Sequence, residues 1–289
     1  MSLPPAHEIL SELLPHLRVA AGYARQIQTK IASLPAKDAG DNILSAALTD
    51  ADLSIQTAIE VALLGKYPKF AFYGEEYEAS RNTKYFVSTE LSADNYLITL
   101  DPIDGTKYYL DGFDNYQIIL SILNQDSYEA VIALSPAQNC YYYAIANRGV
   151  YQGDLDLDLE RCEPLQIENT SSAILLGWGM ASLKSFLSDK YQVVDIENCY
   201  SSSVKFPNYN GMFLGELSGW VTKRGKLIDS AALAFMAAEL GYIVTGLDGL
   251  PLPALHTCTN YSYTGAIVAN TAELHQDLLA ACKKYTIDN

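Results

Sequence analysis

Cysteine, histidine and basic residues are all scarce in this chain, and each scarcity excludes something. The five cysteines (Cys140, Cys162, Cys199, Cys258 and Cys282) stand at wide, irregular spacing with no C-x-x-C pair. That argues against a disulfide framework and against a zinc site. The four histidines (His7, His16, His256 and His275) are isolated. No Ser-His-Asp or Cys-His pattern can be read from them, so nucleophilic triad chemistry is disfavoured. No apolar run approaches the roughly 18 residues needed to cross a bilayer. The opening segment MSLPPAHEILSELLPHL has no basic n-region, uninterrupted apolar stretch or small-residue cleavage site. A signal peptide is therefore not expected, and the default location is cytoplasmic.

Lysine and arginine together number 19 against 34 acidic residues, a formal net charge of −15. Such a field repels DNA and RNA, and no basic stripe offsets it locally, so neither a nucleic acid nor a membrane surface is an expected partner. The same field repels small phosphorylated metabolites. An acidic protein that processes a phosphate ester needs a local source of positive charge, and bound divalent cations supply one.

With 289 residues, 49% of them apolar and 18% charged, the chain is globular in balance and long enough for two packed halves. Residues 8–32 carry Ile9, Leu10, Leu13, Leu14, Leu17 and Val19 in a helical rhythm with Pro15 as a kink point. A second helix begins near Thr49, where a capping hydroxyl precedes Asp52. Leu53, Ile55, Ile59, Ala62 and Leu63 form its buried face, and Pro68 ends it. Residues 96–100 read as a strand delivering Asp101 at its C-terminal end. Residues 116–123, 130–134 and 141–146 follow as an antiparallel meander. After about residue 160 strands and helices alternate, with a helix over 230–240, a strand in YIVTGL and a closing helix over 271–284. The expectation is an α+β half over 1–160 joined to an α/β half over 161–289.

The sharpest local signal is Asp101-Pro102-Ile103-Asp104-Gly105-Thr106. Two carboxylates stand three residues apart, Pro102 fixes φ between them, and Gly105 allows a sharp turn or close approach. Backbone N–H groups at a helix start suit phosphate, and carboxylates are hard oxygen ligands suited to Mg²⁺. A surface turn is the competing reading, because D-P and D-G are common turn formers. For this hexapeptide alone the two are evenly matched.

The surrounding segments resemble the lithium-sensitive, metal-dependent phosphatases of the inositol monophosphatase superfamily. Thr49-Asp50-Ala51-Asp52 resembles the family's T-x-A-D segment, and Phe72 to Glu76 its G-E-E segment. Asp101 to Thr106 is its D-P-I-D-G-T signature, and Leu227 to Ala232 resembles its W-D-x-A-A segment. The resemblance covers nearly the whole chain in order. It implies a layered αβαβα sandwich of the inositol monophosphatase and fructose-1,6-bisphosphatase type, and a homodimer. It further implies that Glu75, Asp101, the Ile103 carbonyl, Asp104 and Asp229 bind two to three Mg²⁺, with Mn²⁺ as a substitute and Asp52 near the loosest ion. Thr106 would position the attacking water with Glu75, supported by Asp52 and Thr49, and the N–H groups of Gly105 and Thr106 would hold phosphate. Such ions would offset the repulsion among the gathered carboxylates and activate water without a covalent enzyme intermediate. Individually the residues have plainer roles: Asp52 and Asp229 as helix N-terminal acids, Glu76 as a solvated neighbour of Glu75.

The substrate would be a small phosphorylated metabolite. Lys107 in G-T-K-Y-Y and the segment Ser202-Ser203-Val204-Lys205-Phe206 resemble the 3′(2′),5′-bisphosphate nucleotidase branch, whose serine and lysine face substrate. Thr222, seven residues before Asp229, falls where inositol monophosphatases carry a glutamate for inositol hydroxyls. Ile228 replaces the W of W-D, and the stretch from Lys37 to Thr49 is longer than the family's. Inositol and sugar phosphates remain alternatives, as does a non-catalytic relative that only binds phosphorylated metabolites. None of Glu75, Asp101, Asp104 and Asp229 is missing, which favours an enzyme.

Overall fold

Why the chain divides where it does follows from where its apolar stripes find partners. The computed structural model describes residues 3–31, 48–168 and 170–288, so most of the long stretch between Lys37 and Thr49 lies outside the described residues. Two compact units emerge: Met1–Pro164 with Ala254–His256, and Leu165–Pro253 with Thr257–Asn289.

In the first unit, α1 (Ala6–Ile27) buries Ile9, Leu10, Leu13, Leu14, Leu17, Ala20, Ala21 and Ala24 along one stripe. Val19, expected on that stripe, is 73% exposed; it falls between Leu17 and Ala20, on the turn's outer side. Pro15 lies inside the helix and on its exposed side, where water can satisfy the carbonyl that a missing N–H strands. α2 (Asp50–Lys66) follows, then β1 (Ala71–Gly74), β2 (Leu97–Asp104), the short α3 (Thr106–Leu110), β3 (Gln117–Leu123), β4 (Tyr128–Ser135), β5 (Cys140–Ile145), β6 (Val150–Asp154) and β7 (Glu163–Pro164). The strands form one sheet in chain order, with β1 and β2 parallel and every later pair antiparallel. Alternate residues such as Ile98, Leu100, Ile118, Leu120, Ile122, Ile132 and Leu134 pack with the apolar stripes of α1 and α2 in one core. Tyr109 sends its hydroxyl to the Ala24 carbonyl at 2.8 Å and meets Tyr116 edge-on at 4.7 Å, tying α3 to α1. Ala254–His256 joins this unit by hydrogen bonds to the β3–β4 turn: Leu255 N donates to Asp126 O and His256 N to Gln125 O, both at 3.0 Å.

The second unit contains β8 (Ala173–Leu176), α4 (Lys184–Leu187), β9 (Gln192–Asp195), α5 (Ile196–Cys199), β10 (Gly219–Thr222), β11 (Gly225–Lys226), α6 (Ser230–Glu239), β12 (Ile243–Thr245), β13 (Ser262–Tyr263), β14 (Ala266–Ala269) and α7 (Ala272–Asp288). Its main sheet has the order β12-β14-β10-β8-β9. β8 runs parallel to β9 and β10, whereas β14 is antiparallel to β10 and β12. Ile174, Leu176, Val221, Ile267 and Ala269 share a core with Leu187 of α4 and Leu274 and Leu278 of α7. β10 and β14, which lie inside this sheet, were not singled out from the sequence, because their four-residue runs are too short to show a period. Each unit layers helices on a sheet, in keeping with the expected α+β and α/β architecture.

The buried stripe of α1 and the middle of β4 should dominate stability in the first unit. Leu13→Ala or Ile132→Ala, both at 0% exposure, should each lower the unfolding free energy by about 2–5 kcal/mol. Val19→Ala should change it by less than about 0.5 kcal/mol. Urea denaturation of the three variants checks this.

Candidate active site

Local chemistry places the Asp101–Thr106 signature before any long-range contact does. β2 does not stop at Asp101, as the sequence suggests, but continues through Asp104. Between Asp101, opposite Ile119, and Asp104, opposite Gln117, the register shifts. Three steps on β2 match two on β3, so one residue is extra and forms a bulge. Residues three apart on a regular strand face opposite sides; the extra residue brings Asp101 and Asp104 back toward a common side. Asp101 is 3% exposed, and its Oδ1 accepts from Ile103 N at 3.1 Å. Gly105 then takes φ 86° and ψ 38° at the N-cap of α3, a left-handed conformation that disfavours any side chain with a Cβ.

The Thr106 hydroxyl lies 2.9 Å from the Ile103 carbonyl and 3.2 Å from Asp52 Oδ1. It has one proton for two acceptors. Asp52 stands at the start of α2 in a complete capping box: Thr49 Oγ1 accepts from Ala51 N and Asp52 N, and Thr49 N donates to Asp52 Oδ2 at 2.9 Å. Thr49 Oγ1 also lies 2.5 Å from Asp52 Oδ2. Thr49 and Asp52 are both 0% exposed. The helix-acid reading of Asp52 is correct, and the same carboxylate also reaches Thr106 across 54 positions of sequence.

Glu75 arrives by strand register. Gly74 lies opposite Leu100 in the parallel β1–β2 pair, and Glu75 N donates to Leu100 O at 2.9 Å, so Glu75 stands next to the strand position that carries Asp101. Glu76, expected to be solvated, is instead 4% exposed. Its N–H donates to Gln56 Oε1 at 2.9 Å. Gln56 Nε2 in turn donates to Glu60 Oε1 at 2.9 Å, and Ser80 Oγ donates to Glu60 Oε2 at 2.5 Å. Asp52, Gln56 and Glu60 therefore make a fully buried polar stripe at i, i+4 and i+8 of α2. The i, i+4, i+8 spacing from Asp52 is legible in the sequence, but Gln56 and Glu60 share their helix with apolar residues such as Ile55 and Ile59, and nothing local marks them as buried. A Cβ at Gly74 would stand 2.4 Å from Gln56 Oε1, so glycine is what lets the Glu75 turn close on the stripe.

Other expected site residues are placed differently. Lys107 Nζ lies 2.6 and 2.7 Å from the two carboxylate oxygens of Asp111, so much of its charge is spent within α3. Asp229, in the second unit, caps α6; Ser230 donates to its Oδ1 from both N and Oγ, the latter at 2.7 Å. Asp229 thus serves as a helix N-cap. Ile228 is buried. Ser203 and Lys205 are exposed, and Ser203 N donates to Ser201 Oγ at 3.2 Å. Among the described residues, no group of three or more His, Cys, Asp or Glu converges closely enough to hold a metal ion. The structure brings Thr49, Asp52, Ile103 and Thr106 together by hydrogen bonds and sets Glu75 beside Asp101 by register. In donor chemistry, Glu75, Asp101, the Ile103 carbonyl and Asp104 supply only hard oxygens, which fit Mg²⁺ or Mn²⁺ and not softer metals.

Burial holds the Glu60 carboxyl above its usual range, against the lowering effect of Ser80, Gln56 and Asn82. A raised folded-state value means that the stability contributed by the proton is complete below the unfolded value near 4.5. It is lost as pH rises through the folded value. Glu60→Gln cannot ionise, so its stability relative to the parent should be greater at pH 7.5 than at pH 4.5. Urea midpoints at both pH values test this, and a constant difference would rule it out.

Comparison with known proteins adds four findings. The family model described as "Inositol monophosphatase family" matches residues 11–286. A histidinol-phosphatase from Streptomyces coelicolor is 26% identical over 243 residues, 80% of this chain and 82% of that protein. A histidinol-phosphatase from Mycobacterium tuberculosis is 23% identical over 238 residues, 80% and 83%. The solved structure of an IMPase from Thermotoga maritima superposes with a TM-score of 0.71 over 97% of this chain and 99% of that one, at 17% identity; at that identity the likeness concerns the fold.

Proposed function

We propose, from the premise that the chain belongs to the inositol monophosphatase family, that it is a Mg²⁺-dependent phosphomonoesterase acting on a small phosphorylated metabolite. The observation that carries this reading is the Thr106–Asp52 hydrogen bond beside the bulged Asp101–Asp104 strand. A turn that only reversed the chain would need neither a buried carboxylate from another helix nor a second acid brought to the same side.

Glu75, Asp101, the Ile103 carbonyl and Asp104 would hold the metal, with Asp229 and Asp52 as further ligands. Bound Mg²⁺ supplies positive charge that lowers the pKa of water and stabilises the leaving oxygen. The chain's own residues do the positioning. When the Thr106 hydroxyl donates to Asp52 Oδ1, a lone pair on its oxygen is free to accept a hydrogen bond from the attacking water and so orient it. Asp52 is kept in place by the Thr49 N–H. Glu75 is the proposed proton acceptor, and the N–H groups of Gly105 and Thr106 the proposed phosphate donors.

Lys107 and the Ser202–Phe206 segment with Lys205, which resemble the bisphosphate nucleotidase branch, favour a 3′(2′),5′-bisphosphate substrate. Asp111 pairs with Lys107, which leaves Lys205 with Ser203 as the support for that reading. Relatives named histidinol-phosphatase make an amino-alcohol phosphate a second reading, and the family makes an inositol phosphate a third. Phosphate release should be measured with Mg²⁺ on adenosine 3′,5′-bisphosphate, L-histidinol phosphate and myo-inositol 1-phosphate, with Li⁺ then added. At least one should be hydrolysed; none turning over would refute the proposal.

Two variants sharpen the test. Thr106→Val keeps shape but removes the hydroxyl, and should lower kcat by about 10²–10⁴-fold. Asp104→Asn should abolish Mg²⁺-dependent turnover. Added Mg²⁺ should raise the parent's melting temperature, by the equivalent of about 2.7 kcal/mol at a hundredfold excess over Kd, and raise that of Asp104→Asn much less.

A further inference from the structure

The two faces of the first unit's sheet carry different chemistry. One joins the α1–α2 core through Ile98, Leu100, Leu120 and Ile122. Side chains alternate along a strand, so Leu97, Thr99 and Asp101 of β2 and Ile119, Ser121 and Leu123 of β3 point to the other. Thr99 lies directly opposite Ser121 in the β2–β3 register. Both are 0% exposed, and neither hydroxyl has a hydrogen-bond partner among the described residues. Each sits in a run, YLITL or YQIILSIL, where an aliphatic residue would serve the strand as well. Two facing hydroxyls in such runs call for a reason.

The surroundings of the pair are dry and apolar. β2 and β3 are interior strands, paired on both sides, so their carbonyls serve the ladder. The register places Leu97, Leu123, Ile119 and Val131 around the two hydroxyls. A buried hydroxyl is costly unless something bonds it, and each of these has one proton to donate. The pair can pass one proton between its members. The other then needs an acceptor from outside.

Asp101 is the charged acceptor within reach. It stands two residues beyond Thr99 on the same face, and the register slips only after it. It is also 3% exposed. Two residues of strand span about 7 Å, too far for a direct bond. One water, making bonds of about 2.8 Å on either side, bridges such a gap once the side chains lean together. Two hydroxyls and a carboxylate offer it about three partners, the usual number for a buried water.

We propose that Thr99 and Ser121 hold a buried water that donates to the Asp101 carboxylate, making the two hydroxyls positioning residues for the metal site. The functional half rests on the phosphomonoesterase reading, in which Asp101 binds Mg²⁺. Partners of this kind orient a ligating carboxylate before the ion arrives. Ile103 N holds Asp101 from the turn at 3.1 Å, and the water holds it from the strand.

Double-mutant cycles test this without requiring catalysis. Thr99→Val and Ser121→Ala each remove a hydroxyl at nearly constant shape, so the fold should tolerate them. In EDTA each should lower the urea midpoint, and the double variant should fall little further than the worse single one. Thr99→Val should also couple to Asp101→Asn in the same assay, because the water joins them. A raised midpoint in Thr99→Val would mean a hydroxyl that bonds nothing, and additivity with Asp101→Asn a bond between the two hydroxyls alone. Either result overturns the proposal. By calorimetry, Thr99→Val should weaken Mg²⁺ binding about 10–100-fold, whereas Thr99→Ser, which keeps the hydroxyl and loses the methyl, should bind as the parent does. Unchanged Mg²⁺ binding in Thr99→Val would sink the positioning role and leave the phosphomonoesterase reading standing. A parent that binds no Mg²⁺ would sink that reading, and the two cycles in EDTA would then decide the water by themselves.

Discussion

Two carboxylates three residues apart on a strand should face opposite ways, and the first unit is organised around overcoming that constraint. The register shift between β2 and β3 is the means. Once Asp101 and Asp104 are brought toward one side, the chain must leave the strand abruptly, and Gly105 with φ 86° makes that exit. The exit sets Thr106 where its hydroxyl meets both the Ile103 carbonyl behind it and Asp52 on another helix. Parallel pairing of β1 with β2 adds Glu75 beside the same corner. Each step is local and inexpensive; together they leave little freedom in how the corner is built.

α2 supports the corner from beneath. Its apolar face belongs to the core, yet Asp52, Gln56 and Glu60 are as fully buried as the leucines around them. Buried polar groups are tolerated when bonded, and here each has a definite partner: Asp52 with Thr49 and Thr106, Gln56 with the Glu76 N–H, Glu60 with Gln56 and Ser80. The stripe thus connects the cap of one helix to the turn that carries Glu75. It also accounts for the burial of Glu76, which alternation along an extended segment did not anticipate.

The two units use glycine differently. In the first, glycine frees the backbone for a turn and for the approach of Gln56. In the second, Gly177 and Gly179 keep the end of β8 low beneath Tyr209 and Lys223.

Much of this could be read along the chain, because local chemistry is written locally. The helical stripe of α1, the Thr49 cap, the antiparallel run after Asp101 and the turn at Gly105 follow from side-chain period, capping hydroxyls and the tolerance of glycine for positive φ. Tertiary structure alone decided what depends on partners distant in sequence. It carried β2 on through Asp104 by pairing with β3, and it buried Glu76 and Glu60. It also set β10 and β14 inside a sheet that their four-residue runs could not announce. A short strand has no readable period of its own, and a side chain's charge does not say which neighbour will claim it; only the packed chain supplies both.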